Sequence, residues 1–283
     1  MTTTTATSPR IALLGLGKMN GAILAGMLAS GIDAEQVTAT TRSAASAQQA
    51  AQKYGVQVFS GQEHDDANHR AVAEADVVLV GVKPKDMADT LKQLAPSLRP
   101  EAVVVSVAAG VSAATLAACL PQGQPIVRTM PNTPLTVGSG VVGVAPGEHV
   151  SEEQARVIEE LFAGSGLVVR VPEDQLSAVV AAAGSAPAYV FLLAEAIAAH
   201  AQRLGLDADD AEAMVAATVK GAGLMLQAGE ETAEQLRKNV MSPGGTTAKA
   251  IETFQAGGFE QLVADAMDAA AARDAEMAEE FRA

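Results

Sequence analysis

The sequence predicts an α/β chain in two parts: a parallel-sheet domain over residues 1–171, with 1–9 as a disordered leader, and an all-helical domain over residues 172–283. Three observations carry this reading. Short β-branched runs alternate with alanine-rich stretches as far as about residue 170, the pattern of parallel strands joined by crossover helices. The first of those runs passes directly into a glycine-rich turn and then into another alanine-rich stretch. After Pro172 the strand signal stops, and Ala, Leu, Met, Glu and Gln dominate.

The strands expected, in order, are Arg10 to Leu14, Val37 to Thr41, Val56 to Phe59, Asp76 to Val82, Ala102 to Val107, Ile126 to Met130, Gly140 to Val144 and Leu167 to Val171. Runs such as Val77-Val78-Leu79-Val80 lack the alternation of a half-exposed strand, so the sheet should be covered on both faces. In the second part, helices are expected over Asp174 to Leu204, Asp207 to Ala228 and Ala248 to Arg282. Asp207 serves as an N-cap, and Gly205 and Gly229 mark two helix ends. Ala178 to Ala194 is apolar but short for a membrane span, contains Gly184, Ser185 and Pro187, and reads as part of a buried helix pair.

Composition narrows the function classes. With 283 residues, 49% hydrophobic and 18% charged, the chain has apolar surface for more than one core. A formal charge of −14 repels phosphate backbones and anionic lipid, so neither nucleic acid nor a membrane is an expected partner. The single cysteine, Cys119, rules out an internal disulfide framework, and the histidines at 64, 69, 149 and 200 have no zinc-ligand spacing. The segment Met1 to Pro9 has no basic or apolar stretch of a signal peptide, and a cytoplasmic protein is expected.

The chemistry-bearing motifs sit at strand ends. Gly15-Leu16-Gly17-Lys18-Met19-Asn20-Gly21 links the first strand to the first helix, the context of a dinucleotide fingerprint: bare backbone approaches a pyrophosphate and a helix N-terminus offers free N–H groups. Asn20 stands where the third glycine belongs. The second strand ends in Thr40-Thr41-Arg42-Ser43 without the carboxylate that binds a ribose 2′-hydroxyl. Arg42 can instead pair with a 2′-phosphate, with Ser43 or Thr41 donating, so NADPH is the preferred cofactor and NADH a possible one. Val82-Lys83-Pro84, Ala108-Ala109-Gly110 and Met130-Pro131-Asn132-Thr133-Pro134 end the fourth, fifth and sixth strands and should converge on the same crevice. In the helical part, Ser242-Pro243-Gly244-Gly245-Thr246-Thr247 precedes a helix, and its N–H groups and hydroxyls suit a carboxylate on a small-molecule substrate. The alternative reading is a capped turn with Thr246 or Thr247 as N-cap.

Together these segments, with Gly184-Ser185-Ala186-Pro187-Ala188-Tyr189, resemble the pyrroline-5-carboxylate reductases, in order and spacing, from Arg10 to about Glu276. The resemblance implies an N-terminal Rossmann domain and a helical domain that interlocks with a second copy into a homodimer or an assembly of dimers. It also implies reduction of 1-pyrroline-5-carboxylate to L-proline by NAD(P)H, the last step of proline synthesis. On the matching positions, Asn68 lies near the adenosine ribose, Lys83 beside the nicotinamide, and the Thr247 hydroxyl reaches the ring nitrogen. The N–H groups of Gly245, Thr246 and Thr247 hold the carboxylate with Ser242 and Gly244 nearby, and Glu173, Glu230 and Asn239 line the cleft. The chain departs from the family pattern at Asn20, at Ala183 where the family usually has Ser, and in the acidic loop Gln62 to Ala67. A 3-hydroxyacid dehydrogenase would carry a lysine on the first long helix, and Asp174 to His200 contains none; a silent NADPH-binding protein would not need Ser242 to Thr247 intact.

Overall fold

The computed structural model describes residues 8–282; the leader expected over residues 1–9 falls outside them as far as residue 7. All the expected strands form, with ends shifted by a residue or two: β1 (Ile11–Leu14), β2 (Val37–Thr41), β3 (Gln57–Ser60), β4 (Val77–Val80), β5 (Val103–Ser106), β6 (Ile126–Pro131), β7 (Gly140–Pro146) and β8 (Gly166–Arg170). They make one sheet in the order β3-β2-β1-β4-β5-β6-β7-β8. Chain order reverses on either side of β1, which opens a crevice at the carboxyl ends of β1 and β4.

The sheet is parallel as expected except at one pairing. β7 runs antiparallel to β6, with Met130 opposite Gly143 and Pro131 opposite Val142. A parallel partner needs a crossover of a dozen or more residues, and only 132–139 join these strands.

The helices over the sheet are α1 (Lys18–Ala29), α2 (Ala44–Tyr54), α3 (Ala67–Val72), α4 (Pro84–Leu94), α5 (Ala113–Ala117) and α6 (Glu152–Ala163). Strand alternation divides the core into two layers. Ile11, Leu13, Val77 and Leu79 pack with Ile23, Leu24 and Met27 of α1 and with Ile158, Leu161 and Phe162 of α6. Ala12, Leu14, Val78 and Val80 turn the other way, onto Ala71 and Val72 of α3 and Met87, Leu91 and Leu94 of α4. Both faces of the central strands are therefore dry, and only their ends are open to a ligand.

Beyond β8 come α7 (Leu176–Val179), α8 (Ala186–Arg203), α9 (Ala208–Ala228), α10 (Ala233–Asn239), α11 (Thr246–Ala256) and α12 (Phe259–Glu280). The helix expected over Asp174 to Leu204 is interrupted by a π-turn, Val180–Gly184, before Pro187 enters the first turn of α8, where its missing N–H costs nothing. Gly257 and Gly258 likewise split the helix expected over Ala248 to Arg282, and α10 was not anticipated. Asp207 caps α9 as expected, its side chain accepting from Asp209 N–H.

The compact units do not divide at 171/172. One runs to Gly184 and takes in the chain again from Ala270; the other is Ser185–Ala269. The physical reason is packing: Leu176 and Val179 of α7 lie against Gly143 of β7, and Asn132 Nδ2 donates to the Ala183 carbonyl at 3.1 Å. From the returning segment the buried Asp274 accepts from Gly110 N–H at 3.1 Å and from the Ser177 hydroxyl at 2.8 Å.

In the Ser185–Ala269 unit, α8 packs on α9, yet most of its large apolar side chains stay exposed: Phe191 is 66% and Leu192 67% accessible. The buried helix pair expected over Ala178 to Ala194 is thus corrected, since this unit alone has too few elements to cover that face. By length and composition the helical run Glu173–Arg203 is apolar enough to cross a membrane, with a mean hydropathy of 1.8 over its most apolar window.

Asp274→Ala removes the acceptor of the Gly110 N–H and the Ser177 hydroxyl and should cost about 3 kcal/mol of stability. Thermal melting checks this, with a clear fall in Tm expected; an unchanged Tm would show that Asp274 does not tie the terminal segment to the sheet.

Candidate active site

The sheet unit holds a cleft of about 830 Å³ at the carboxyl ends of β1, β2 and β4, bordered by Gly15, Leu16, Gly17, Arg42, Asn68, Val82 and Lys83, all sequence candidates. Its floor is the turn after β1. Gly15 adopts φ +74°, Leu16 N–H donates to the Thr40 carbonyl at 2.7 Å, and Gly15 N–H donates to Thr40 Oγ1 at 3.2 Å. Gly17 N–H donates back to the Gly15 carbonyl at 2.7 Å, so Gly17 offers no donor of its own; it contributes the absence of a side chain. A Cβ there would meet only the Gly15 carbonyl oxygen, at 4.0 Å. Gly17 is also the N-cap of α1 and makes no side-chain cap, and the first turn holds no acid, so the N–H groups of Lys18 and Met19 remain for an anion.

At the β2 end, Arg42 is exposed and in no ion pair among the described residues. Ser43 is placed differently from expectation: it caps α2 through Ser46 N–H, and its hydroxyl donates to Ser46 Oγ at 2.9 Å. The Thr41 hydroxyl donates to the Ser43 carbonyl at 3.1 Å. Ser46 rather than Ser43 borders the cleft, as do Thr40, Gln62 and Gly81, none of them anticipated. Gln62 Oε1 accepts from Ala44 N–H at 3.2 Å, tying the acidic loop to the start of α2. The signal for Ser46 was available in principle, since an N-cap serine three residues before another serine invites a shared cap.

At the β4 end Lys83 is the N-cap residue of α4 and Pro84 opens that helix, leaving the lysine side chain exposed beside the cleft. The tails of β5 and β6 do not line it. Ala108 is buried in the core, and beyond Ala109 the Gly110 N–H is taken by Asp274. Met130 and Pro131 belong to the β6–β7 ladder. Asn132 spends both ends of its amide on the protein, with Oδ1 accepting from Val141 N–H at 2.8 Å. Glu173 accepts from Arg128 at 2.9 Å and from Ala113 N–H at 2.7 Å, which makes it a link between β6 and α5. Away from the cleft, the hydrogen bond from Arg156 holds the Glu153 carboxyl below the usual carboxylate range.

The second group of candidates lies in the helical unit. Gly245, not Thr246 or Thr247, is the N-cap of α11, and no side chain caps it, so the capped-turn reading in terms of a threonine is corrected. Gly245 N–H already donates to the Ser242 carbonyl at 2.9 Å. The N–H groups of Thr246 and Thr247, in the first turn, have no intrahelical acceptor, and both threonines are exposed with Ser242 and Gly244. Asn239 is engaged at the end of α10, donating to Glu231 at 2.8 Å and accepting from Gln235 at 2.7 Å. Glu230 is exposed in the preceding turn.

Residues 173–277 match the family model described as pyrroline-5-carboxylate reductase dimerisation, and residues 10–110 match one described as NADP oxidoreductase, coenzyme F420-dependent. A pyrroline-5-carboxylate reductase of Pseudomonas aeruginosa is 39% identical over 97% of this chain and 98% of its own. One from Vibrio alginolyticus is 39% identical over 96% and 98%. Among solved structures, a pyrroline-5-carboxylate reductase from Coxiella burnetii superposes with a TM-score of 0.89 at 34% identity, covering 95% of this chain and 98% of that one. The NADP-bound Plasmodium falciparum enzyme, at 24% identity and a TM-score of 0.83, shares the fold over 95% of this chain and 98% of its own.

Proposed function

This chain belongs to the pyrroline-5-carboxylate reductase family, and from that premise we propose how its residues divide the reduction of 1-pyrroline-5-carboxylate to L-proline, with NADPH preferred over NADH. The observation that carries the reading is the pair of first-turn N–H groups at Thr246 and Thr247, left without acceptors in a Gly-Gly-Thr-Thr loop that suits a substrate carboxylate.

The residues of the cleft fit a dinucleotide. The α1 N–H groups of Lys18 and Met19 take the pyrophosphate, Gly17 leaves room for it, and Arg42 with Ser46 meets the 2′-phosphate. Asn68 and Gln62 line the cleft and would hold the adenosine ribose, and Lys83 at the β4 end would stand beside the nicotinamide. When bound, the cofactor supplies a hydride to the C=N carbon. The protein's own work is alignment. Thr246 and Thr247 N–H groups hold the carboxylate with Ser242 nearby, and the Thr247 hydroxyl fixes the ring nitrogen. A neutral hydroxyl is a poor acid, so the ring nitrogen enters as the protonated iminium and the threonine orients it. Glu173 is assigned to the Arg128 link rather than to substrate, and Asn239 to the α10 end.

Phe191, Leu192, Leu193 and Leu262 give the helical unit an exposed apolar surface, and we assign it to pairing with a second copy of the chain as a homodimer. Light scattering at micromolar concentration should return a dimer or a multiple of one; a fully active monomer would contradict the assignment.

Arg42→Asp removes the phosphate partner and adds a like charge, and should raise the NADPH KM about thirtyfold more than the NADH KM, roughly 2 kcal/mol of differential binding. Equal loss for both cofactors would mean that Arg42 does not read the phosphate.

Thr247→Ala should lower kcat/KM for the pyrroline by roughly tenfold to a hundredfold, the worth of one well-placed hydrogen bond, with little change in Tm because Gly245 holds the N-cap position. Thr247→Ser should recover most of the activity. Normal turnover by the alanine variant would remove the hydroxyl from the mechanism.

A further inference from the structure

Asn20 occupies the place of the fingerprint's third glycine, and its surroundings are unlike those of a surface helix residue. It is 1% exposed, on the inner side of the first turn of α1. Its Nδ2 donates to the Leu14 carbonyl at 3.0 Å and to the Gly15 carbonyl at 3.3 Å. Its Oδ1 is buried without a hydrogen-bond partner among the described residues.

The space that accepts this amide is the missing side chain of Gly81, the residue just past β4. A Cβ on Gly81 would stand 2.5 Å from Asn20 Cγ and 2.6 Å from Oδ1, and its nearest contact of all would be Nδ2. The three heavy atoms nearest to that imagined atom all belong to Asn20. The two residues also share an acceptor, because Gly81 N–H donates to the Leu14 carbonyl at 2.9 Å.

The consequence lies in the Gly15–Leu16 peptide, a rigid plane. Asn20 and Gly17 N–H hold its carbonyl from one side, and the Thr40 carbonyl holds its N–H from the other. With that plane fixed, the entry into α1 is fixed, and with it the direction of the Lys18 and Met19 N–H groups. A plain core residue would fill the volume without holding a carbonyl, and it would not leave a buried oxygen without a partner.

We propose that Asn20 is a positioning residue for the cofactor. Fitted into the side-chain gap at Gly81, it locks the turn after β1 and couples it to the end of β4 that leads into Lys83. The proposal rests on the reading that this turn seats the pyrophosphate.

The test measures NADPH and NADH dissociation constants, kcat at saturating cofactor and Tm for wild type, Gly17→Val, Asn20→Ala, Gly81→Ala and the Asn20→Ala/Gly81→Ala double variant. Asn20→Ala should weaken both cofactors by about tenfold, since the pyrophosphate is common to them, with kcat within about twofold of wild type. Gly81→Ala alone should be worse, by about a hundredfold in affinity or by failure to fold, and should be rescued to the Asn20→Ala level in the double variant. Unchanged affinity in folded Asn20→Ala, or equal damage from Gly81→Ala in both backgrounds, would overturn the proposal. Gly17→Val separates the premise from the proposal: its side chain has room in the protein but fills the seat, so binding should vanish at unchanged Tm. Normal binding by Gly17→Val would remove the seat and the proposal together, whereas lost binding there with normal binding by Asn20→Ala would overturn the positioning role alone.

Discussion

The peptide between Gly15 and Leu16 is gripped at its carbonyl by Asn20 and Gly17 and at its N–H by Thr40, and the cleft takes its shape from that grip. A sheet dry on both faces leaves a ligand only the strand ends, and at those ends the backbone must present its own donors. Gly15 supplies the left-handed step, β2 supplies the acceptor, and α1 is launched with its first N–H groups unspent. Arg42 and Lys83 follow β2 and β4, the strands that flank β1 on either side, so the placement of both charges around the cleft depends on the same arrangement.

The helical unit obeys a different constraint. Its helices expose more large apolar side chains than they bury, and the loop from Ser242 to Thr247 is held chiefly by backbone bonds, with its threonine hydroxyls exposed. An uncovered apolar surface and a loop whose first helical N–H groups have no acceptor thus fall within the same unit.

Much of this was legible in the sequence because parallel strands buried on both faces are written as bare runs of Val, Leu and Ile. Direction is not written in such runs; the antiparallel β7 follows only from the short connection over 132–139. That Gly15, Gly17, Arg42 and Lys83 border one cleft was legible because a strand end is a local context. Ser43, Asn132, Glu173 and Asn239 were less readable, since what occupies them is a partner in space. Glu173 meets Arg128 from 45 residues away, and nothing in either local stretch announces it. Asp274 in an alanine-rich helix looks like solvated surface, and its buried role is set by Gly110, distant in the chain. Asn20 looked like a blemish in the fingerprint until the gap at Gly81 gave it a place.

The central claim is that this chain transfers hydride from a nicotinamide to the C=N bond of 1-pyrroline-5-carboxylate. The most direct test follows NADPH absorbance with purified protein, with and without 1-pyrroline-5-carboxylate, and identifies the product. The account predicts oxidation only when the pyrroline is present, with one L-proline formed per NADPH consumed; tight NADPH binding without pyrroline-dependent oxidation would contradict it.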